Sequence, residues 1–450
     1  MTEPFPALLT DLYQLTMAQA YFDEGLHADA VFELFVRTLP PTRRVLIAAG
    51  LEQVMEYLEG LQFGSGDIEY LRTLGRFSAP FLAELSRLRF TGSVRAMSEG
   101  TACFAGEPLL TVTAPIIEAQ LIESRVLNLM HLQTVIASKA LRFVLAARGR
   151  ALVDFGMRRA HGQEAALYAA RAAYLAGFEA TATVEAGRRF GIPLSGTMAH
   201  SYIEAHADEA TAFRCFVESR DPATTLLIDT YDIERAAHDV VKLAQERRER
   251  GASAGVAAVR IDSGDLALEA HKARGILDAG GCQAVKIILS GGLDEQHIER
   301  LLESGVPVDA FGVGTALAVA QEAPALDMAY KLVEYAGTPR RKRSPGKATW
   351  PGRKQVFRST VGGTWVSDCI ALENERPAGH ELLHEVMRTG RRVTAPPALA
   401  EIRAHCRMQR EQMPEAVRTL EPGSSGYVVS VSREVEALAV RLDAQMAARL

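Results

Sequence analysis

Apolar and polar residues change rhythm twice along the chain. Residues 7–25 read as a helical stretch, with Thr10 or Asp11 as N-cap and Leu12, Leu15, Met17 and Ala18 as its apolar positions. Over residues 30–37, Val31, Glu33, Phe35 and Arg37 alternate with Phe32, Leu34 and Val36, the period of a strand with one face drier than the other. Helices are predicted over 48–61 and 80–87. Strand-like runs punctuated by Gly92, Gly100, Gly106 and Pro108 fill 89–114. From 117 to 147, Leu121, Ile122, Leu129, Leu132, Ile136, Leu141 and Val144 recur at helical spacing, predicting one long connecting helix.

After that helix, short apolar runs alternate with amphipathic helices at a spacing of roughly 30 residues, the length of a βα unit. Candidate strands fall at 151–155, 192–194, 225–228, 257–261, 285–289 and 308–311, with two weaker ones at 181–184 and 330–333. Eight such strands predict a closed, irregular α/β barrel of the TIM type over 148–337. The tracts at the C-terminal ends of the strands are polar or glycine-rich: Gly156-Met157-Arg158, Gly196 to His200, Asp229-Thr230-Tyr231-Asp232, Asp262-Ser263-Gly264-Asp265, Ser290-Gly291-Gly292 and Gly312-Val313-Gly314. In an α/β barrel those ends share one face, where active sites are built, so residues far apart in sequence converge there. Segments 1–116 and 338–450, with 117–147 as connector, are read as one α+β domain made from both ends of the chain. Within 338–358 a basic run, Arg340 to Arg343 and then Lys347, Arg353 and Lys354, reads either as a solvated linker or as a phosphate loop.

Composition narrows the function classes. A length of 450 residues, 48% of them hydrophobic, supports one large core or two to three medium ones. The formal net charge of −5 supplies no overall basic field, so nucleic acid is not an expected partner. Five scattered cysteines lack the close pairs of zinc sites or disulfide scaffolds, which fits a reducing cytoplasm. No stretch reads as a membrane span, and Met1-Thr2-Glu3-Pro4 lacks the order of a signal peptide.

The histidine of Gly196-Thr197-Met198-Ala199-His200-Ser201 can act as a base, a metal ligand or a phosphate acceptor. A zinc hydrolase is disfavoured because His200, Glu204 and His206 do not have the spacing that places two histidines on one helical face. No Gly-x-Ser-x-Gly elbow supports a serine hydrolase. Ser290-Gly291-Gly292 and Gly312-Val313-Gly314-Thr315, each ahead of a predicted helix, offer backbone N–H groups to phosphate; the plainer alternative is that the glycines only turn the chain. Arg260 and Asp262, two apart on a strand, face the same way and either hold a ribose with its charged substituents or form a structural ion pair. Asp229 or Asp232 is placed to orient His200.

Taken in order, Thr10-Asp11-Leu12-Tyr13-Gln14, Asp154-Phe155-Gly156-Met157-Arg158-Arg159, Gly196 to Ser201, Asp229 to Asp232, Arg260-Ile261-Asp262-Ser263-Gly264-Asp265 and Phe311-Gly312-Val313-Gly314-Thr315 resemble the nicotinate phosphoribosyltransferases. Tyr330-Lys331-Leu332-Val333-Glu334 and Pro351-Gly352-Arg353-Lys354 extend the likeness. The resemblance implies the type II phosphoribosyltransferase fold and synthesis of nicotinate mononucleotide and pyrophosphate from nicotinate and phosphoribosyl pyrophosphate, in NAD biosynthesis and salvage. It also implies Mg²⁺, ATP as co-substrate, and transient phosphorylation of His200 with Asp229 as its partner. By the same likeness Phe155 and Tyr13 sandwich the pyridine ring, Tyr13 coming from the second subunit of a homodimer. Arg158, Arg260 and Asp262 lie around base and ribose, and Ser290, Gly291, Gly292, Gly312, Gly314 and Thr315 bind phosphate. The related nicotinamide enzyme uses an aspartate where this chain has Ala182, which favours the acid. A quinolinate enzyme would need more cations, and a catalytically silent nucleotide-binding relative would not need His200.

Overall fold

The computed structural model describes residues 6–219, 224–250, 255–424 and 426–448; Met1–Pro4, where no targeting signal is expected, lie outside them. The chain divides into two compact units, one of residues 1–138 with 325–450, the other of residues 139–324.

The first unit is built on a seven-stranded sheet in the order Thr338–Pro339, Met328–Tyr335, Asp29–Val36, Pro108–Pro115, Ser93–Met97, Leu383–Arg388, Arg391–Arg392. Its neighbours run antiparallel. Two expectations change here. The alternating strand Asp29–Val36 is buried on both faces, because its one charged residue inside, Glu33, is 2% exposed and paired with Lys354 at 2.8 Å. The weak candidate at 330–333 is no barrel strand: it lies in Met328–Tyr335 and pairs antiparallel with Asp29–Val36. A second, four-stranded sheet has the order His380–Glu381, Lys354–Val361, Thr364–Leu372, Val428–Val431.

The long apolar pattern forms two helices, Ile116–Leu121 and Glu123–Ala146, and the boundary between the units falls inside the second. By length and composition Glu123–Ala146 could cross a membrane, contrary to the expectation from sequence, but 78% of its apolar window is buried in the protein. It is a core helix.

In the second unit six parallel strands form one sheet: β1 (Ala151–Asp154), β2 (Ala180–Thr181), β3 (Thr224–Leu227), β4 (Val256–Ile261), β5 (Lys286–Ser290) and β6 (Ala310–Val313). Their order, β2-β1-β6-β5-β4-β3, is that of a ring cut once, since β6 lies beside β1 and the cut falls between β2 and β3. Leu194 adds a single parallel bridge to Thr181, so the candidate at 192–194 is not a full strand. The closed eight-stranded barrel is therefore corrected to a curled half-barrel. Two predicted members are missing from the ring, and without them its edges do not meet. The helices after β3, β4 and β5 begin at Asp232, Asp265 and Asp294, each accepting a backbone N–H with its side chain. Beneath them Lys139 and Arg142 are ion-paired to Glu295, which is 1% exposed, and Lys139 also pairs with Glu322.

Candidate active site

Strand pairing in the second unit lines up the C-terminal ends of β1, β6, β5 and β4, and a cleft of about 250 Å³ opens there. Phe155, Arg158, Arg260, Asp262, Ser290, Gly291, Gly292, Gly312, Gly314 and Thr315 all line it, together with Arg159 and Gln321.

Phe155 comes directly after β1. Its N–H donates to the Val313 carbonyl at 2.7 Å, which continues the β1–β6 ladder by one residue and fixes the ring's position. Gly312 makes room for that ring: a Cβ there would stand 2.4 Å from Phe155 Cε2. The Arg260 guanidinium lies 5.3 Å from the ring centroid. Beneath the turn, Asp154 is 3% exposed and accepts from Gly156 N at 2.8 Å and from the Thr181 hydroxyl at 2.7 Å. Burial pushes its carboxyl up, against the pull of those two bonds. This is structural support for Phe155.

Arg260, Asp262 and Ser290 close a triangle. Arg260 Nη2 donates to Asp262 Oδ1 at 2.6 Å, Arg260 Nε donates to Ser290 Oγ at 2.8 Å, and Ser290 Oγ donates to Asp262 Oδ1 at 2.6 Å. The pair is an ion pair, and both residues also line the cleft. Burial raises the Asp262 carboxyl, but the bonds from Ser290 and Arg260 and the charge of Arg260 outweigh it and leave the group below its usual range. Among the described residues Asp262 Oδ2 has no hydrogen-bond partner.

The glycine loops are less of a helix-terminus cradle than their sequence promises. The helix after Gly314 is Thr315–Ala318, a single turn, and the helix after Gly292 is already capped by Asp294. Gly291 has φ +93°, and a Cβ there would stand 2.0 Å from the Asp262 carbonyl oxygen, so glycine is required by a close backbone approach. The loops remain open to a ligand through their backbone.

His200 is the first residue of the short helix His200–Glu204, within the segment that spans the cut in the ring. Its Nδ1 lies 3.1 Å from Thr230 Oγ1, and its Nε2 lies 4.0 Å from Asp229 Oδ1, too far for a hydrogen bond. Asp229 Oδ2 instead accepts from Asp262 N at 3.0 Å and from the Ser263 hydroxyl at 2.6 Å, while Oδ1 is buried without a partner among the described residues. Asp232, the other candidate to orient His200, caps its own helix through Arg235 N. Neither His200 nor Asp229 is part of the cleft lining, yet Asp229 is bonded to the backbone of Asp262, which is.

Tyr13 is not brought to this cleft. It lies in the first unit on the helix Leu12–Asp23, 47% exposed beside exposed Leu9 and Leu12. Within the basic run Arg341 and Arg343 reach Asp443, Arg353 pairs with Glu334 and Lys354 with Glu33. Sequence reasoning passed over Thr230 and Ser263, although both stand inside the strand-end tracts. It also passed over Arg159 and Gln321, and Gln321 carries no pattern that could have marked it.

Ala182 is exposed at the end of β2, its N–H donating to the Asp154 carbonyl at 2.8 Å. It therefore sits at the end of the strand next to the one that carries Phe155.

Residues 8–131 match the nicotinate phosphoribosyltransferase N-terminal domain, 150–346 the nicotinate phosphoribosyltransferase family, and 378–439 the nicotinate phosphoribosyltransferase C-terminal domain. The chain is 49% identical over 437 residues to nicotinate phosphoribosyltransferase pncB2 of Mycobacterium tuberculosis, covering 97% of this chain and 94% of that one. It is 42% identical over 380 residues to the Bacillus subtilis nicotinate phosphoribosyltransferase, covering 82% and 77%. The crystal structure of human nicotinic acid phosphoribosyltransferase superposes with a TM-score of 0.86 at 27% identity, over 96% of this chain and all of that one. The chain belongs to the nicotinate phosphoribosyltransferase family.

Proposed function

We propose that this chain makes nicotinate mononucleotide, a step of NAD biosynthesis and salvage, by joining nicotinate to the ribosyl carbon of phosphoribosyl pyrophosphate. The pyridine nitrogen forms a bond to C1′ as the bond from C1′ to the pyrophosphate oxygen breaks, and pyrophosphate leaves with that electron pair. The observation that carries the reading is the cleft itself, where an aromatic ring, three arginines, a carboxylate and a glycine-rich backbone converge at neighbouring strand ends.

Phe155 offers the pyridine a stacking surface. Arg158 and Arg159, exposed and without ion-pair partners among the described residues, are the free cations for the carboxylate or the phosphates. Asp262, held by Arg260 and Ser290, keeps one oxygen for the ribose hydroxyls or a cation. Among the described residues no three His, Cys, Asp or Glu side chains converge into a metal cage. Mg²⁺ carried mainly by substrate phosphates would be held on the protein side by Asp262. Held there, the cation would supply positive charge to offset that of the departing pyrophosphate. Positive charge building on the ribose then lies close to Asp262 and is stabilised without reorganisation.

ATP coupling through phosphorylated His200 is part of the proposal. The imidazole is anchored at Nδ1 by Thr230 and faces the unpartnered Asp229 oxygen with Nε2. A homodimer in which Tyr13 of one subunit completes the partner's ring sandwich accounts for exposed Tyr13, Leu9 and Leu12. Five cysteines without a disulfide among the described residues suit a cytoplasmic enzyme.

The test is to offer nicotinate, nicotinamide or quinolinate with phosphoribosyl pyrophosphate and Mg²⁺, with and without ATP, and identify the mononucleotide. Nicotinate is expected to be the preferred base, and faster product from nicotinamide would overturn the choice of acid. Acid-labile label from γ-³²P-ATP should disappear in His200→Ala; its persistence would place the phosphoacceptor elsewhere. Mixing Tyr13→Ala with His200→Ala protein should restore activity once subunits exchange, and no rescue despite exchange would refute a shared site.

A further inference from the structure

Asp229 is a two-sided contact with only one side filled. Its side chain, at the end of β3, is 2% exposed. Oδ2 takes two donors from the tract after β4, the Asp262 N–H at 3.0 Å and the Ser263 hydroxyl at 2.6 Å. Oδ1 is buried without a donor among the described residues, an arrangement that costs free energy unless something compensates it. Across from it, at 4.0 Å and beyond bonding range, stands Nε2 of His200, a ring held at its other nitrogen by Thr230.

The tract that supplies both donors is pinned on either side of Ser263. Arg260 and Ser290 hold the Asp262 carboxylate, and the Asp265 side chain accepts from Ala267 N and Leu268 N, both at 3.1 Å. Ser263 itself is exposed, so water is available to its hydroxyl. Its bond to Asp229 therefore satisfies no buried group of its own; what it does is fix the carboxylate. Through that carboxylate the imidazole of His200 and the cleft residue Asp262 share one neighbour.

On the phosphohistidine reading, on which this step rests, a ring nitrogen of His200 bonds to the γ-phosphorus of ATP as the bridging P–O bond breaks, and ADP leaves with that electron pair. The ring becomes cationic and carries a phosphoryl dianion. Water later bonds to the phosphorus, inorganic phosphate leaves, and the ring nitrogen regains its pair. Each step changes the charge that faces Asp229 Oδ1. We propose that Ser263 is a positioning residue that passes this change to the cleft: its hydroxyl, together with the Asp262 N–H, ties Asp229 to the strand end that carries Asp262. Coupling between sites needs a group with different contacts in two states. Asp229 has them, two bonds on Oδ2 and an unfilled Oδ1 facing His200, and it can shift between them without any change in strand pairing.

The test compares the parent with Ser263→Ala and Ser263→Thr at saturating nicotinate and Mg²⁺, with and without ATP. Two ratios are read: the factor by which ATP raises kcat/KM for phosphoribosyl pyrophosphate, and the ATP hydrolysed per nicotinate mononucleotide formed. Ser263→Ala should lower the first and raise the second by about three- to tenfold, the worth of one hydrogen bond, while label from γ-³²P-ATP still reaches His200. Ser263→Thr retains the hydroxyl and should keep both ratios near those of the parent. Unfolding midpoints confirm that both variants are folded, as expected for an exposed position. A parent that takes no label would overturn the phosphohistidine reading and this proposal with it. With a labelled parent, three results would overturn the proposal alone: both ratios unmoved in Ser263→Ala, rates that fall equally with and without ATP as for a merely structural serine, or loss of coupling in Ser263→Thr.

Discussion

Gly312→Ala isolates what the cleft requires of its aromatic ring. The new Cβ would stand 2.4 Å from Phe155 Cε2, 2.6 Å from Cδ2 and 3.2 Å from Ser290 Cβ. Ordinary carbon contacts begin near 3.5 Å, so the ring has to retreat by about 1 Å. It cannot do so freely, because the Phe155 N–H is fixed to Val313 O and the Arg260 guanidinium lies over the ring. Overpacking of this kind costs about 1–3 kcal/mol of stability. At a reacting centre a displacement of about 1 Å lowers rate by about 100-fold. Steady-state kinetics at saturating phosphoribosyl pyrophosphate should therefore show a fall in kcat/KM for nicotinate well beyond the effect on stability, read in parallel by denaturant unfolding. Combining Gly312→Ala with Phe155→Leu should recover the lost stability, because the clash disappears, without recovering activity. Gly196→Ala, whose Cβ meets nothing within 4 Å, is the control and should be neutral for stability. Unchanged nicotinate kinetics in Gly312→Ala would refute the placement of the substrate against Phe155.

Thr230→Val removes the bond that holds His200 Nδ1, and labelling of the protein by γ-³²P-ATP should slow by about three- to tenfold, the worth of one hydrogen bond; undiminished labelling would show that the contact does not position the imidazole. Glu209 is 7% exposed, and burial, followed by the charge of Asp239, pushes its carboxyl up to about 7. A carboxyl with a raised folded pKa contributes stability below its unfolded pKa and loses it as pH rises through about 7, so Glu209→Gln should match the parent near pH 4 and be the more stable protein at pH 8, as unfolding midpoints against pH will show. Asp368, fully buried, accepts from both Arg358 Nε and Nη2, and Asp368→Asn should cost about 1–3 kcal/mol in denaturant unfolding, because one carboxylate facing Arg358 is lost while buried Glu107 stays beside it.

The strand ends were legible because two local signals agree there, a short apolar run and a polar or glycine break after it. What the chain pattern could not convey was partnership at a distance. Residues 330–333 have the apolar content of a barrel strand, but only pairing with Asp29–Val36 assigns them to the other sheet. Nor does the basic run announce that four of its charges, Arg341, Arg343, Arg353 and Lys354, are taken up by Asp443, Glu334 and Glu33. Glu33 likewise reads as the wet face of a half-exposed strand, since nothing nearby announces that Lys354 will cover it while also donating to the carbonyls of Trp350 and Gly352. The unit boundary between Ser138 and Lys139 lies inside an uninterrupted helix, where no glycine or proline could mark it.

The repeated spacing Asp229-x-x-Asp232 and Asp262-x-x-Asp265 shows how one local rule serves fold and site together. In each tract the second aspartate caps the next helix, which fixes where the turn ends. The first is left at the strand terminus, facing the same end of the sheet as its neighbours. Strands about 4.8 Å apart then bring consecutive termini within bonding range. Asp229 accepts from the backbone of Asp262, Asp262 accepts from Ser290, Ser290 stands in register with Gly312, and Gly312 receives the ring of Phe155. The cleft is thus a row across the ends of β4, β5, β6 and β1, held by the sheet's own pairing and tied to the end of β3 through Asp229. His200 alone among the second unit's candidate residues stands outside this row, in the segment that spans the cut, attached to it through Thr230. On the proposed function, a phosphate-accepting His200 would therefore stand outside the strand ends that line the cleft, so that its phosphorylation need not disturb their pairing in the sheet.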